Sequence, residues 1–451
     1  MDPTAYAREH HAGFLEALKE FVRIPSISTL PEHHDDLTRA AEWTARRLTD
    51  AGLAAKVMPS NHHPAVYAEW MGAPGRPTLL CYGHYDVQPP DPLELWTSPP
   101  FEPVQRGDAL YGRGASDDKG QLFVQICAVE SLLKADGRLP INVKFFVEGE
   151  EEIGSPRMLP FIKKHRQLLR ADVSLVCDGS FFAPERPALV TGLRGMLYTE
   201  VELRGANRDL HSGIFGGAAP NPLEGLARII AGLRDRKRRV TVPRYYAAVV
   251  PPNESERRSW DQLGFREEAY LNDLGVSEAP GEEGYGILDR RWARPTLEVH
   301  GIVGGFTGPG AKTVIPARAT AKISMRLVPD QRPQAVLRAF IRKVQRLTPP
   351  GLVAEIRVLG SGAPLALPPD APALKTAAQA LEEVFHRAPV YMREGGTVPV
   401  AAEFQNVLHA FPVLMGFGLP DDNLHSPNEK FHLPNFYRGI ETVIRFMQRL
   451  S

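Results

Sequence analysis

The sequence predicts an α/β protein in which a mostly parallel sheet is flanked by helices and a smaller α+β domain is inserted. Strand-like and helix-like segments alternate over the first 191 residues, the pattern changes between residues 192 and 366, and the alternation then returns. The chain has 451 residues, of which 43% are hydrophobic and 24% are charged, so it is too long for one compact core. We therefore expect a globular protein with two domains.

The first domain is predicted to comprise residues 1–191 and 367–451. Helices are indicated by apolar residues at helical spacing in FLEALKEFV, AAEWTARRL, MLPFIKKH and APALKTAAQALEEVF, and by the stretch from about Gly120 to Leu133. Between these helices lie the strand-like runs AVYAEW, PTLLCYG, INVKFFV, VSLVCDG and HAFPVLMGFGLP. Strands that alternate with helices favour a parallel sheet covered on both faces.

The inserted domain is predicted to span residues 192–366. The alternating segment MLYTEVELRG is followed by the helix-like LEGLARIIAGLRDR, and the strands TLEVHGI and ATAKISMRLVP come after a polar insertion that includes PPNESERRSWDQLG. The order of strand, helix, strand, strand and helix is typical of a small α+β domain.

Charge and composition exclude several kinds of partner. Lys and Arg together number 53, as do Asp and Glu, so no net charge directs the protein to nucleic acid or a membrane. No apolar run approaches the length of a membrane span, and MDPTAYAREHH lacks the layout of a signal peptide, so a cytoplasmic location is expected. The cysteines Cys81, Cys127 and Cys177 lie far apart in apolar contexts, which predicts buried thiols without disulfides.

Residues that can bind metal ions follow four apolar runs of the first domain. In open α/β sheets, ligands bind beyond the carboxyl ends of the strands, so these groups are predicted to converge. They are His84 and Asp86 in LLCYGHYD, Glu148, Glu150, Glu151 and Glu152 in FFVEGEEE, Asp178 in VSLVCD, and His425 in VLMGFGLPDDNLH.

A fifth contribution comes from Asp117 and Asp118 in GRGASDDKG, at the predicted start of a helix. Free backbone donors and the positive end of the helix dipole favour carboxylates at this position. Each element also has a simpler interpretation, since Asp117 can cap the helix, Asp178 can form a turn, and the glutamate run can be a solvated loop. The combination of two histidines with several carboxylates at strand ends favours a metal site.

The mixture of imidazole and carboxylate suits zinc, with manganese or cobalt as substitutes, better than calcium or magnesium. Five ligands are too many for one open tetrahedral site. They suffice for two ions about 3.5 to 4 Å apart that share a bridging carboxylate and a bridging water. A general base that accepts the proton of this water would give a surplus glutamate a role.

Seven motifs then carry a resemblance over nearly the whole chain: GHYDVQP, GRGASDDKG, EGEEEIGS, RDLHSGIFGG, GAKTVIP, REGGTVP and DDNLHSPNEK. In this order they resemble the family of di-zinc dipeptidases and deacylases that includes acetylornithine deacetylase, and within it the carnosinase-like dipeptidase branch. The resemblance implies a zinc exopeptidase-like catalytic domain that holds two metal ions, an inserted lid and dimerisation domain, and a homodimer.

The resemblance also implies the ligands of each metal ion. His84 and Asp178 would hold one ion, Glu152 and His425 the other, and Asp117 would bridge both. Asp86 would orient His84, as metal-bound imidazoles generally require, and Glu151 would be the general base.

The positions of the four glutamates along the chain predict different surroundings for them. Adjacent side chains in extended backbone point to opposite sides, so Glu151 and Glu152 are not expected to occupy one ligand position. We expect Glu148 to be a buried, hydrogen-bonded support and Glu150 to be solvated.

Residues of the inserted domain and of REGGTVP are implied to bind the substrate. His211 would reach the active site of the facing protomer and stabilise the oxyanion. Arg326 would bind the terminal carboxylate of the substrate, for which a planar bidentate donor is suited. Thr313 and Thr397 would assist, although serine is often found at the position of Thr397 in the carnosinase-like branch.

The expected function is metal-dependent hydrolysis of dipeptides by a water activated by two metal ions, with Glu151 as base. Two alternatives are weighed against it. A deacylase of N-acyl amino acids would share all the metal ligands, whereas the insertion from about Pro243 to Arg290 favours the dipeptidase branch by resemblance. A noncatalytic binding protein stabilised by metal would not require Glu151, His211 and Arg326.

Overall fold

The structure is a computed structural model that describes residues 1–60, 62–252, 254–396 and 398–451. The strands are β1 (Ala54–Met58), β2 (Ala65–Trp70), β3 (Thr78–His84), β4 (Val104–Arg106), β5 (Ala109–Tyr111), β6 (Asn142–Glu148), β7 (Val173–Val176), β8 (Ala188–Leu193), β9 (Gly195–Arg204), β10 (Leu210–His211), β11 (Thr296–Gly304), β12 (Val314–Ile315), β13 (Arg318–Leu327), β14 (Val353–Gly362), β15 (Leu365–Ala366), β16 (Val390–Glu394), β17 (Phe411–Leu414) and β18 (Lys430–His432).

The α-helices are α1 (Pro3–Glu9), α2 (His11–Val22), α3 (His34–Asp50), α4 (Lys119–Asp136), α5 (Met158–Lys164), α6 (Ser212–Phe215), α7 (Pro222–Gly232), α8 (Glu254–Asp261), α9 (Glu267–Leu274), α10 (Ile287–Trp292), α11 (Pro333–Leu347), α12 (Pro372–Phe385), α13 (Pro399–Glu403) and α14 (Leu433–Leu450). Short 3₁₀ helices occur at Pro31–His33, Leu93–Leu95 and Glu151–Ile153, and Phe404–Leu408 is π-helical.

The chain divides into two compact units. The first comprises Met1–Thr191, Leu367–Met392 and Pro399–Ser451, and the second comprises Gly192–Ala366 and Arg393–Val398. The sequence pattern assigns the short segment 393–398 to the first domain, whereas the structure groups it with the second unit. The reason is local bonding, since the Gly395 carbonyl accepts a hydrogen bond from Arg194 Nε and Arg393 forms an ion pair with Glu256.

The first unit is built on a sheet with the strand order β1-β2-β6-β3-β7-β17-β8-β15, in which β16 also pairs with β8. The central strands β6, β3, β7 and β17 are parallel, and antiparallel strands lie on either side of them. Nearly every side chain of β3, β6 and β7 is buried, because helices such as α4 and α12 pack on the sheet. The predicted α/β class with a mostly parallel central sheet is confirmed.

Helix α4 begins beside the carboxyl ends of the central strands. It packs against β3 and α14 and is buried on nearly all sides. Its first residue, Lys119, is buried and donates to the carbonyls of Phe21 and Ile24, which fixes the start of the helix. A Cβ at Gly120 would overlap the Ala115 carbonyl oxygen, so only glycine permits this close approach of the preceding loop.

The second unit contains an antiparallel sheet with the strand order β11-β13-β9-β14. One sheet face, with Leu197, Val201, Ile323 and Met325, packs against α7 and α11. The polar insertion includes α8, whose Trp260 is buried in an edge-to-face contact with Trp292. This unit has the predicted α+β composition.

Two further predictions concern the cysteines and membrane-spanning segments. Cys81, Cys127 and Cys177 are buried and form no disulfide, as expected. Within the part of the chain that the structure describes, no helix combines the length and apolar character needed to cross a membrane.

Candidate metal centre

Four parallel strands bring polar side chains to one edge of the first unit's sheet. His84 is the last residue of β3, and Asp178 lies two residues beyond β7. Glu152 belongs to the 3₁₀ helix that follows β6, and His425 lies in the loop between β17 and β18. Since parallel strands present their carboxyl ends at the same edge, the convergence predicted from sequence is what this topology produces.

The potential ligand atoms form two groups that share Asp117. One group consists of His84, Asp117 and Asp178, and the other consists of Asp117, Glu152 and His425, with the atoms of each group within 4.8 Å of one another. Asp117 Oδ1 lies 3.2 Å from His84 Nε2, and Asp117 Oδ2 lies 3.0 Å from His425 Nε2. A single carboxylate thus faces one histidine with each of its oxygens, as a ligand that bridges two ions must.

The donor set fits two divalent cations. His84 Nε2 is buried without a hydrogen-bond partner among the described residues, and it lies 3.9 Å from Asp178 Oδ2. His425 Nε2 lies 3.3 Å from Glu152 Oε2. Three donors of mixed imidazole and carboxylate character in each group suit zinc and leave coordination positions for water and substrate.

The electrostatics of the site also favour cations. Burial and the neighbouring carboxylates raise the pKa of Glu151 well above its usual value, and burial and Asp117 raise the pKa of Glu152. Hydrogen bonds to Asp117 and Glu152 raise the pKa of His425 to about 10. Burial opposes ionisation of Asp117, yet the nearby His425 and His84 bring the pKa of this carboxyl below its ordinary value. Several buried carboxylates this close together need positive charge to offset their repulsion.

Asp86 contacts a residue of each group but is a member of neither. His84 Nδ1 lies 3.0 Å from the Asp86 carbonyl oxygen and 3.4 Å from its Oδ1. The same carboxylate accepts hydrogen bonds from the backbone N–H groups of Glu151 and Glu152. Asp86 thereby directs His84 Nε2 toward Asp117 and fixes the position of the glutamate pair.

The backbone around the glutamate pair differs from the prediction. Glu151 and Glu152 lie in a 3₁₀ helix, so the premise of extended backbone is wrong. The two side chains nevertheless take different positions, because Glu152 faces His425 while Glu151 belongs to neither ligand group of the described residues. No described residue donates a hydrogen bond to the Glu151 carboxylate. The backbone N–H of Glu151 donates to Asp86 Oδ1 at 3.2 Å.

The outcome for the two remaining glutamates is mixed. Glu148 is buried and accepts hydrogen bonds from the hydroxyls of Tyr82 and Ser155, which confirms the predicted support. Burial raises the pKa of Glu148 to about 8. The prediction that Glu150 is solvated is wrong, because this residue is fully buried and accepts from the His63 N–H.

Two residues that contact members of the two groups carry no predicted role. Glu429 is buried, pairs with Arg113, and accepts from the N–H groups of Ser116 and Asp117, so it shapes the loop that presents Asp117. Gln88 donates to Glu152 Oε2 at 2.8 Å. Both lie inside the motifs DDNLHSPNEK and GHYDVQP, which is the signal that could have identified them.

The predicted substrate-binding residues of the second unit occupy two places. His211 is exposed on β10, which pairs with β12, and the Thr313 carbonyl accepts from the N–H of Ser212 beside it. Arg326 lies on β13 and lines a cavity of this unit. Thr397 lies outside the described residues.

The geometry of His211 fixes its tautomer. The Gly213 N–H donates to His211 Nδ1 at 2.9 Å, so the neutral imidazole carries its proton on Nε2. A Cβ at Gly213 would lie 2.9 Å from His211 Cε1, so glycine permits this contact. Nε2–H is consequently available as a donor to an external group.

Comparison with known proteins places this arrangement in context. Residues 80–449 match the sequence profile described as "Peptidase family M20/M25/M40". The chain is 32% identical to Beta-Ala-His dipeptidase of Homo sapiens, over 99% of this chain and 92% of that protein. It is 30% identical to Cys-Gly metallodipeptidase DUG1 of Candida albicans, over 95% of this chain and 93% of that protein.

A solved structure is also similar to this chain over nearly its whole length. The M20 family metallo-carboxypeptidase Sso-CP2 from Sulfolobus solfataricus superposes with a TM-score of 0.89 at 33% identity. The superposition covers 97% of this chain and 99% of the other.

Proposed function

Since the chain belongs to the peptidase family M20/M25/M40, we propose that it is a metal-dependent dipeptidase that uses two metal ions. The observation that carries this proposal is the position of Asp117, whose two oxygens face His84 and His425 at 3.2 and 3.0 Å. The names of the relatives indicate the substrate class, because both curated relatives described above are dipeptidases.

In this proposal, His84, Asp117 and Asp178 hold one ion, and Asp117, Glu152 and His425 hold the other. The ions are zinc, with manganese or cobalt as substitutes. When bound, they polarise the substrate carbonyl and lower the pKa of a shared water.

The chain's own residues then move the protons. Glu151 takes the proton of the attacking water, because its carboxylate is not a member of either ligand group and is free of hydrogen bonds from described residues. The same carboxyl group next delivers this proton to the departing amine. Asp86 keeps Glu151 in place through the backbone N–H.

Residues of the second unit complete the reaction by binding the substrate. His211 donates from Nε2 to the oxyanion, in keeping with the tautomer set by Gly213. Arg326 binds the C-terminal carboxylate of the dipeptide. Thr313 and Thr397 contribute hydroxyl groups to the same task.

We assign the role of His211 to a homodimer, in which it acts on the substrate of the facing protomer. The outer strands β11 and β14 of the second unit expose apolar side chains, among them Val303 at 70% and Val353 at 68%, which suits pairing with a second copy. Three unpaired, buried cysteines are compatible with the reducing cytoplasm, where we place the protein.

Complementation tests the shared site. His211→Ala and Glu151→Gln are each expected to be nearly inactive, whereas their mixture, after dissociation and reassociation, should regain up to about a quarter of the normal rate, because some mixed dimers carry one intact site. The measurement is the dipeptide hydrolysis rate of the mixture. A rate no higher than the sum of the separate variants would mean that the site is completed within one chain.

A substrate panel tests the proposed reaction. The protein is stripped of metal with a chelator, restored separately with zinc, manganese or cobalt, and assayed with dipeptides, tripeptides, and N-acetyl and N-succinyl amino acids. Free dipeptides are expected to be the best substrates. A preference for N-acyl amino acids would indicate the deacylase alternative, and absence of any metal-dependent hydrolysis would indicate a noncatalytic metal-stabilised protein.

A further inference from the structure

The second unit contains a cavity of about 570 Å³ on one face of its antiparallel sheet. This face is opposite the face that the helices cover. Successive residues of a strand point to opposite sides of the sheet, so the residues that line the cavity alternate along each strand with residues of the core. Leu297 and Met325 belong to the core cluster, although Leu297 also borders the cavity. The cavity floor is formed by Met196 and Tyr198 of β9, Thr296 and Glu298 of β11, and Ser324 and Arg326 of β13.

The rest of the wall comes from the long connection between α7 and β11. It contributes arginines and the aromatic ring of Tyr270, over which the guanidinium of Arg291 lies 5.6 Å from the ring centroid. Arg290 is anchored through a hydrogen bond to the Ala279 carbonyl at 2.6 Å. The connection between α7 and β11 thus supplies positive charge to a cavity whose floor already contains Arg326.

The cavity has a large surplus of positive charge. Among the described residues, seven arginines and two glutamates line it. Glu282 accepts two hydrogen bonds from Arg294, at 2.8 and 2.7 Å, and Glu298 pairs with Arg234 at 3.0 Å. Both glutamates are therefore already paired with an arginine. With seven arginines against two glutamates, the lining has an excess of five positive side chains.

Arg194 lies close enough to Arg326 and Arg291 for their positive charges to act on it. Burial, with Arg326 and Arg291 nearby, lowers the pKa of Arg194 to about 10, so this guanidinium remains charged at neutral pH. Backbone carbonyls hold it in place, since Arg194 Nε donates to the Gly395 oxygen at 3.3 Å and Nη1 donates to that of Arg290 at 3.4 Å.

Two neighbouring residues, Gly395 and Glu394, affect the position of Arg194 and the charge balance around it. A Cβ at Gly395 would lie 2.8 Å from Arg194 Nη2, so glycine allows the arginine to occupy its position. Glu394 lies near Arg291, but burial raises the pKa of Glu394 to about 7, and its charge is therefore only partly developed at neutral pH. An anionic ligand would relieve the remaining repulsion.

We propose that this cavity binds a dicarboxylic ligand, and that the protein prefers dipeptides whose C-terminal residue is aspartate or glutamate. This inference rests on the proposed dipeptidase function, in which Arg326 binds the α-carboxylate. Arg194 and Arg291 bind the side-chain carboxylate, for which the planar guanidinium offers paired donors. The cavity volume is within the range typical of sites for small molecules.

Matched substrate pairs test the preference. The ratio of kcat/KM for Ala-Glu to that for Ala-Gln, and for Ala-Asp to Ala-Asn, is expected to be about 10 to 100, the effect of one charged hydrogen-bonded contact. Arg291→Gln should bring this ratio close to one by raising KM for the acidic substrates. Arg228→Gln is the control, because Arg228 is exposed on α7 and does not line the cavity. A ratio near one in the unmodified protein would overturn the proposal.

Direct binding separates this inference from the proposed function. Calorimetry with glutarate, glutaramide and inorganic phosphate is expected to show the tightest binding for glutarate, weakened about tenfold or more by Arg291→Gln. Tighter binding of phosphate than of glutarate would contradict the dicarboxylate assignment. Hydrolysis of dipeptides without acidic preference and without glutarate binding would overturn the inference alone. Glutarate binding without any dipeptide hydrolysis would instead overturn the proposed function and support the ligand class of the cavity.

Discussion

Glu151→Gln is expected to lower kcat for dipeptide hydrolysis by about 10²- to 10⁴-fold while both metal ions remain bound. The amide keeps the size of the side chain but cannot accept the proton of the attacking water. Metal binding should be retained because Glu151 belongs to neither ligand group, and its N–H bond to Asp86 does not involve the side chain. The measurements are steady-state kinetics and metal content of the purified variant.

Glu148→Gln is the matched control from the same stretch of sequence. Burial raises the pKa of Glu148 to about 8, so its carboxyl is mostly neutral at pH 7 and the amide replaces it with little change of charge. Its Oε1 accepts from the hydroxyls of Tyr82 and Ser155, and an amide oxygen can accept both bonds. A near-normal rate for Glu151→Gln, or an equal loss for the control, would remove the basis for Glu151 as the general base.

Asp117→Asn is expected to prevent tight binding of both ions and to reduce hydrolysis to the background rate. Asp117 is the one residue common to the two ligand groups of the described chain, and each of its oxygens faces a different histidine. An amide offers only one good acceptor and no negative charge. We expect a loss of metal affinity larger than the 10- to 100-fold typical of residues that merely orient a ligand.

Asp172→Asn provides the control for the Asp117 variant. Asp172 lies at the opposite end of the same strands, where its Oδ2 accepts from the Thr78 N–H, and an amide oxygen can retain that bond. This variant should bind metal and turn over substrate normally. If Asp117→Asn still bound two ions per chain with ordinary affinity, Asp117 would not be the bridging ligand.

The convergence of the ligand residues was accessible from sequence because it depends on topology. His84 ends one parallel strand and Asp178 follows another, and the carboxyl ends of such strands meet at one edge of a sheet. Asp117 could be placed near this edge because it precedes helix α4. The local pattern therefore contained enough information to predict where these side chains come together, without distances.

Residues held by partners far away in sequence could not be predicted in this way. Glu429 acts on the N–H groups of Ser116 and Asp117, more than 300 positions earlier, and backbone donors leave no mark on residue type. Glu150 resembles a solvated charge in sequence but is buried. Its carboxylate accepts a hydrogen bond from the backbone N–H of His63, which belongs to a distant segment of the chain. Such positions depend on packing between segments, which periodicity does not encode.

The cavity of the second unit illustrates the same limit. Its arginines are scattered over the junction between β8 and β9, strand β13 and the long connection between α7 and β11, so the local sequence shows ordinary surface charge. Only the folded sheet places Arg194 and Arg326 near Arg291. The positive cavity is consequently a property of the tertiary structure.

A zinc titration of the metal-free protein tests the two-ion centre most directly. Zinc is added stepwise to a known concentration of chain, and bound zinc and the rate of dipeptide hydrolysis are measured at each step. The shared position of Asp117 between two groups of donors predicts that binding saturates at two ions per chain and that full activity requires both. Saturation of both zinc binding and activity at one ion per chain, or hydrolysis that does not depend on zinc, manganese or cobalt, would contradict this account.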